Sequence, residues 1–290
     1  MGLSATDIEN HPRIRAQLRR RAIDLLNMHV ANPRAAGIFA THQRWLLAHI
    51  ALAAHFDAAL LGGTAGMSAS TVATTAVAEG VSSRNTAESF LREMVRYGFC
   101  ESAPSERDRR IRWLTITPYA IANVAGWLAS NLATLDALDD GDRAAKFLAD
   151  PSLIARVESV ATQGFLSSAA IRRPGATFML FTTVDEGGAV MDRLYASHAD
   201  APDSEGRHLT RIGSLADFGG HIRLSRSHLS RKLREAEALG GLGWEGERGK
   251  SPIWVSPAFL REYVERQAAE LASIEAGYRL ALAEAPLGQS

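Results

Sequence analysis

Two short stretches of this chain combine the side chains that read a DNA duplex. The first is Ser82, Ser83, Arg84, Asn85, Thr86 and Ser89, with Glu88 among them. The second is Ser225, Arg226, Ser227, His228, Ser230, Arg231 and Lys232. Arginine pairs bidentately with guanine and asparagine with adenine, while serine and threonine reach bases or phosphates. Each stretch lies where a helix is expected to begin, and early exposed residues of a helix are the ones that enter a major groove. Two further sets carry cations in polar loops: Arg107, Arg109, Arg110 and Arg112 in one, with Asp108, and Arg248 and Lys250 in the other. A narrow minor groove concentrates negative potential and attracts such side chains. The plainer reading of all four stretches is an ordinary solvated surface.

The elements that would position these residues follow from periodicity and breakers. One helix is expected over about Thr6–His29, with Ile14, Leu18, Leu25 and Met28 at helical spacing and a strongly basic run at Arg13, Arg15, Arg19, Arg20 and Arg21. That run is either a solvated face or a phosphate-facing one. Asn32-Pro33 breaks it, and a second helix runs from about Ile38 to Leu61, stopped by Gly62-Gly63. A short helix capped by Ser68 or Ser70 then leads to Gly80, and a helix over 82–97 ends at Gly98. Strands at 99–101 and 112–117 flank a polar loop, and Pro118 opens the next helix.

The same order returns later. A short helix begins at Ser214, a helix starts at Leu224-Ser225, and strands at 242–245 and 253–256 flank a loop. Pro257 opens a terminal helix to about Ala285. Val81-Ser82 aligns with Leu224-Ser225, Phe90 with Leu233 and Gly98-Phe99 with Gly241-Leu242, an offset of 143 residues. Thr117-Pro118 aligns with Ser256-Pro257, so the second loop is shorter. This reads as an internal duplication. The fold class expected is mostly α with small β-hairpins: two winged helix-turn-helix units joined by long helices, one over 1–150 and one over 151–290.

Composition narrows the function classes. The 290 residues carry 32 Lys+Arg against 32 Asp+Glu, so bulk charge decides nothing and its distribution must. From Arg207 to Arg234 the only acid is Asp217, whereas Asp136, Asp139, Asp140, Asp142 and Asp150 suggest an acidic linker helix. A single cysteine, Cys100, excludes an internal disulfide framework and a Cys-rich zinc site, and fits a reducing cytoplasm. It reads as a buried inert thiol rather than a redox switch. The N-terminus shows no apolar h-region. The most apolar stretch, Trp45–Leu61, contains His49, His55 and Asp57 and is too short and polar for a membrane span.

The segment Glu106-Arg107-Asp108-Arg109-Arg110-Ile111-Arg112-Trp113-Leu114-Thr115-Ile116-Thr117-Pro118 resembles the wing of the MarR family of regulators. That family carries an Asp-x-Arg pair, then a strand ending in Leu-Thr before its dimerisation helix. The resemblance covers about residues 38–135 and extends to Leu91, Met94, Gly98 and Phe99 at the end of the recognition helix. It implies that Arg110 reaches the minor groove and that Asp108 orients it. The second unit departs from the pattern, because its shorter wing lacks Asp-x-Arg. Family members are usually homodimers with one winged helix per chain, so a tandem chain looks like a monomeric pseudo-dimer or, doubled, a homodimer with four units. Family habit also implies a small aromatic effector, with His42, Trp45, His49 and Trp127 as a candidate pocket; the same residues serve equally well as core.

Enzyme motifs are weak. Gly249-Lys250-Ser251 lacks the first glycine of a P-loop, because Trp244 stands there. The nine histidines show no metal-protease spacing. The expectation is therefore a cytoplasmic double-stranded-DNA-binding transcriptional regulator, not an enzyme, with no cofactor, no metal and no membrane partner. Its alternatives are a plasmid-type replication initiator with tandem winged helices, a winged-helix protein-interaction module, and a helical enzyme using the surroundings of Trp45.

Overall fold

A computed structural model describes residues 2–32, 36–37, 39, 41–103, 113–218, 222 and 224–284. The chain is mostly helical and carries two small three-stranded antiparallel sheets. None of its described helices is long and apolar enough to cross a membrane. It forms two compact units. Unit 1 comprises Met1–Ile8, Gln43–Ser168 and Ala269–Ser290; unit 2 comprises Glu9–His42 and Ala169–Ala268. This partition differs from the expected single cut at residue 150. Residues 151–168 belong to unit 1 because their buried face carries partners for an earlier helix, described below.

In unit 1, α1 (Ala5–Glu9) precedes α3 (His42–Leu60), a helix buried around most of its circumference, from Leu46 and Leu47 through Ile50 to Phe56. Gly62, with φ +79°, follows its end. Strand β1 (Met67–Ser68) runs into α4 (Ala69–Ala78), whose cap is Ser68: its Oγ accepts from the Thr71 amide. Then α5 (Arg84–Arg96) is capped by Ser83, which accepts from the Thr86 amide. Its buried side is Ala87, Phe90, Leu91 and Met94, a helical stripe. Strands β2 (Cys100–Ala103) and β3 (Trp113–Ile116) pair with Cys100 opposite Ile116, and β3 lies between β1 and β2. Thr117 caps α6 (Pro118–Asp139), with the proline in the first turn. Next come α7 (Arg143–Ala149) and α8 (Leu153–Ser167).

The expected acidic linker helix takes a different form. Asp140 ends α6 in the left-handed region at φ 59°, and Asp136, Asp139 and Glu275 surround Arg143. Asp136 and Glu275 are largely covered and Asp139 is exposed, and all three hold the Arg143 guanidinium, which raises the Arg143 pKa and lowers that of Asp139.

Unit 2 begins with α2 (Ile14–Ala31), so the single helix expected over 6–29 is two helices. Pro12 separates them, since its ring removes a donor and clashes with a preceding turn. Helix α2 packs against α11 (Gly187–Ser197), which follows α9 (Ala169–Arg172) and α10 (Ala176–Thr182). Strand β4 (His208–Leu209) and a 3-10 turn (Leu215–Phe218) lead to α12 (Arg226–Ala238), capped by Ser225 through the His228 amide. Strands β5 (Leu242–Trp244) and β6 (Ile253–Val255) pair antiparallel, with β6 between β4 and β5. The long α13 (Pro257–Glu284), the last described helix, contributes its first part to unit 2 and its remainder to unit 1.

The two sheets share one strand order, each with a first strand that the sequence reading lacks. The helix register is one residue off the expected 143. The caps Ser83 and Ser225, the buried Leu91 and Leu233, and the left-handed Gly98 and Gly240 (φ +76° and +71°) are all 142 apart. The one-residue difference arises because Gly240-Gly241 offers two candidates and only the first takes the positive φ that ends the helix.

Candidate nucleic-acid interface

On α5 the cap places Ser83, Arg84, Asn85 and Thr86 on the exposed surface, with Ser82 and Ser89 half-buried. Arg84 donates to Thr74 Oγ1 at 3.0 Å and stands 3.9 Å from Glu88. Ser83 and Thr86 also share a hydroxyl contact at 2.9 Å. Arg92 and Arg96 continue the exposed side, Arg96 lying over the Tyr97 ring. This is a mixed surface with hydrogen-bonding groups at the helix start and both charge signs beyond.

On α12 the corresponding surface is basic. Ser225, Arg226, Ser227 and Arg231 are exposed, and His228 and Lys232 are half-buried. The buried side is Leu229, Leu233 and Ala236, so the cations lie opposite the packing stripe. The Arg226 and Arg234 side chains have no hydrogen bond or ion pair among the described residues. Lys232 Nζ donates to Glu235 at 2.8 Å, which lowers the Glu235 pKa, and Arg231 lies 3.8 Å from the same carboxylate.

The loops divide differently. Residues 104–112, which include Arg107, Asp108, Arg109, Arg110 and Arg112, lie outside the described residues. In the second loop Arg248 donates Nε and Nη2 to Glu237 Oε2 at 3.0 and 2.5 Å, and Lys250 reaches Glu247 at 2.6 Å. Both expected loop cations therefore already hold carboxylates. Their acids are visible in the sequence, but the return of residue 248 onto the end of α12 is a tertiary event. The Gly249-Lys250-Ser251 triplet lies between antiparallel strands rather than between a strand and a helix, so it lacks P-loop context.

The proposed pocket residues form a second cluster, in unit 1. His49, on α3, touches three rings: Trp45 at 4.4 Å, Phe165 at 5.0 Å and Trp127 at 5.1 Å between centroids. Its Nδ1 lies 2.5 Å from Glu158 Oε1, a carboxylate wholly removed from solvent, which also accepts from Thr162 Oγ1 at 3.2 Å. Glu158 Oε2 is buried and has no partner. Trp45, His49 and Trp127 are thus brought together, whereas His42, the first residue of α3, is counted with unit 2. Phe165 and Glu158 escaped sequence reading. Their one signal is that Glu158, Thr162 and Phe165 lie on one side of α8, at spacings of four and three.

Six residues beyond His49, His55 Nδ1 accepts from the Ile116 amide at 3.4 Å, which ties α3 to the central strand, and burial lowers the His55 pKa. Cys100 opens β2 fully packed, and burial pushes its thiol up to about 12. Among the described residues no group of three or more His, Cys, Asp or Glu is arranged to hold a metal ion. Comparison of the chain with protein-family models, with curated proteins and with solved structures returns no match.

Proposed function

We propose that the chain is a regulator that binds double-stranded DNA through two winged helix-turn-helix units, using α5 and α12 as unlike recognition helices. The observation that carries this reading is the basic exposed side of α12. It begins at a serine cap, carries Arg226 and Arg234 without internal partners, and lies opposite a fully packed stripe. Partnerless guanidiniums are free to take phosphates, and counterions released there supply most of non-specific affinity. Helix α5 offers the complementary chemistry: Arg84, Asn85 and Thr86 at its start are suited to base edges. In this reading α12 supplies affinity, α5 supplies discrimination, and the pair reads an asymmetric site. The MarR-like resemblance of residues 38–135 belongs to the same reading.

Arg248 contributes only after exchanging Glu237 for a phosphate, so the second loop ranks below the helix as a contact. The His49 cluster is closely packed, with every ring pair within 6.3 Å, and its structural role is to hold α3 against α6 and α8.

The test is the affinity of the full chain for random duplex DNA across a salt series. Log affinity is expected to fall linearly with log salt. Arg226→Ala/Arg231→Ala flattens that slope by about one per lost phosphate contact, while Arg84→Ala/Asn85→Ala chiefly alters preference between sequences. Absence of binding at low salt, or indifference to all four side chains, refutes the proposal.

A further inference from the structure

Four buried polar residues lie where α3 meets α8 in unit 1: His49, Glu158, Ser159 and Thr162. Ser159 Oγ donates to Asp57 on α3. The Thr162 hydroxyl lies 3.3 Å from the His49 carbonyl and 3.2 Å from Glu158 Oε1, with one hydrogen for the two acceptors. His49 Nδ1 lies 2.5 Å from Glu158 Oε1, while Glu158 Oε2 is buried without a partner. An apolar contact would hold two helices together at lower cost, so a buried ionisable pair in such a seam requires an explanation.

So dry a position tolerates the pair only as a neutral unit, whether imidazolium with carboxylate or imidazole with carboxylic acid. Loss of one proton can keep the Nδ1 hydrogen bond, but it leaves a net negative charge. Oε2 then carries part of that charge with no donor, and the rings of Trp45, Trp127 and Phe165 stand around His49 in place of water. A lone buried charge is strongly destabilising, and drawing α8 away from α3 admits water to it. Most charged groups on the surrounding elements are engaged elsewhere. On α3, Arg44 pairs with Glu93, His55 accepts from the Ile116 amide and Asp57 from Ser159. Asp136 and Asp139 of α6 hold Arg143, and Arg156 of α8 pairs with Glu284. On α13, Glu275 also holds Arg143, and Glu270 is buried.

The same helix α3 also grips α5. Arg44, five residues before His49, places Nη2 2.5 Å from Glu93 Oε2, and its guanidinium lies over the Phe90 ring at 5.3 Å. Gln43 Nε2 donates to the Val81 carbonyl at 2.9 Å, two residues before the Ser83 cap. Helix α3 therefore holds both the entry and the middle of α5. We propose that the His49–Glu158 pair is a proton-controlled latch: with its proton it docks α8 on α3 and fixes α5 through Arg44 and Gln43, and on losing that proton it relaxes the grip. The charge change is local, and the bistable element is the α3–α8 contact. Because α3 touches both neighbours, proton binding and the placement of α5 are linked.

The experiment is a pH titration of the full chain by NMR, from about pH 5 to about pH 9. It follows the indole N–H signals of Trp45 and Trp127 and the backbone amides of Phe90 and Glu93. In the unsubstituted chain all four are expected to move with one common midpoint. Glu158→Gln can leave no negative charge in the seam, so the common transition is expected to vanish from that range. Arg44→Gln is expected to keep the indole transition while the α5 amides cease to follow it. Glu270→Gln is expected to change nothing; loss of the transition there instead assigns the proton to Glu270 and overturns the proposal. Absence of a transition, separate midpoints for the indoles and α5, or a common transition that survives Glu158→Gln also overturns it. Should Glu158→Gln fail to fold, Arg44→Gln, at a half-buried position, decides. The readout is α5 itself, so the outcome stands apart from whether α5 binds DNA.

Discussion

Helices α5 and α12 are built alike and dressed differently. Each starts at a serine whose hydroxyl accepts the amide three residues on, and each ends before a left-handed glycine. Each then feeds the outer strand of a three-stranded sheet whose central strand comes last. Three buried positions match at 142 residues, Ala87 with Leu229, Leu91 with Leu233 and Met94 with Ala236, while the buried Phe90 falls on the half-buried Lys232. Their exposed positions share Arg84 with Arg226 and Arg92 with Arg234, and little else beyond the capping serines. The difference teaches that the frame constrains only the packed side and the caps. The outer side is free to be mixed in charge in one unit and more basic in the other.

The largest test of this likeness is the core. Leu91→Ala and Leu233→Ala remove side chains that are 2% and 1% exposed, and each is expected to cost about 2–5 kcal/mol in urea unfolding. If one of the pair costs under about 1 kcal/mol, the two frames are not equivalent.

A second test separates the units by pH. Burial, helped by the neighbouring Arg19, lowers His198 in unit 2 to about 4. The unfolded chain therefore takes up a proton that the folded chain refuses. Stability is full above about pH 6.5, falls as pH drops from there towards 4, and levels below, a loss of at most about 3 kcal/mol. His198→Asn is expected to flatten that part of the urea-midpoint profile. An unchanged profile in that variant would place the titration elsewhere, with His55 in unit 1 the next group to replace.

The smallest expected effects sharpen the comparison most. Ser83→Ala and Ser225→Ala each remove one cap bond, of 3.2 and 3.3 Å, and each is expected to cost about 1 kcal/mol. Matching losses support equal frames, while a null result at one serine would mean that its helix is held by packing alone.

Much of this was legible beforehand. Serine caps, glycine stops and proline starts mark helix ends because they satisfy or relieve local backbone groups, and local physics is written locally. Thus Ser68, Ser83, Ser225, Pro118 and Pro257 fall where their types require. The two-residue strands β1 and β4 were not legible, because Met67-Ser68 and His208-Leu209 have no period of their own and exist only by pairing with β3 and β6. The break between α1 and α2 is written in the sequence at Pro12, whose ring cannot continue a helix.

By itself, the sequence determined the mostly helical class, the repeated helix–hairpin order and the polar composition of two helix starts. Only the tertiary structure decided which charges remain free. Arg143, Arg248 and Lys250 find carboxylates, two of them far off in the chain or across a turn, while Arg226 finds none among the described residues. It likewise placed Phe165 and Glu158 around His49, and left the buried Tyr195 hydroxyl without an acceptor. The reason is physical: a cap is settled within four residues, but the partner of a long cation or a buried ring is whichever group folding brings within a few ångströms.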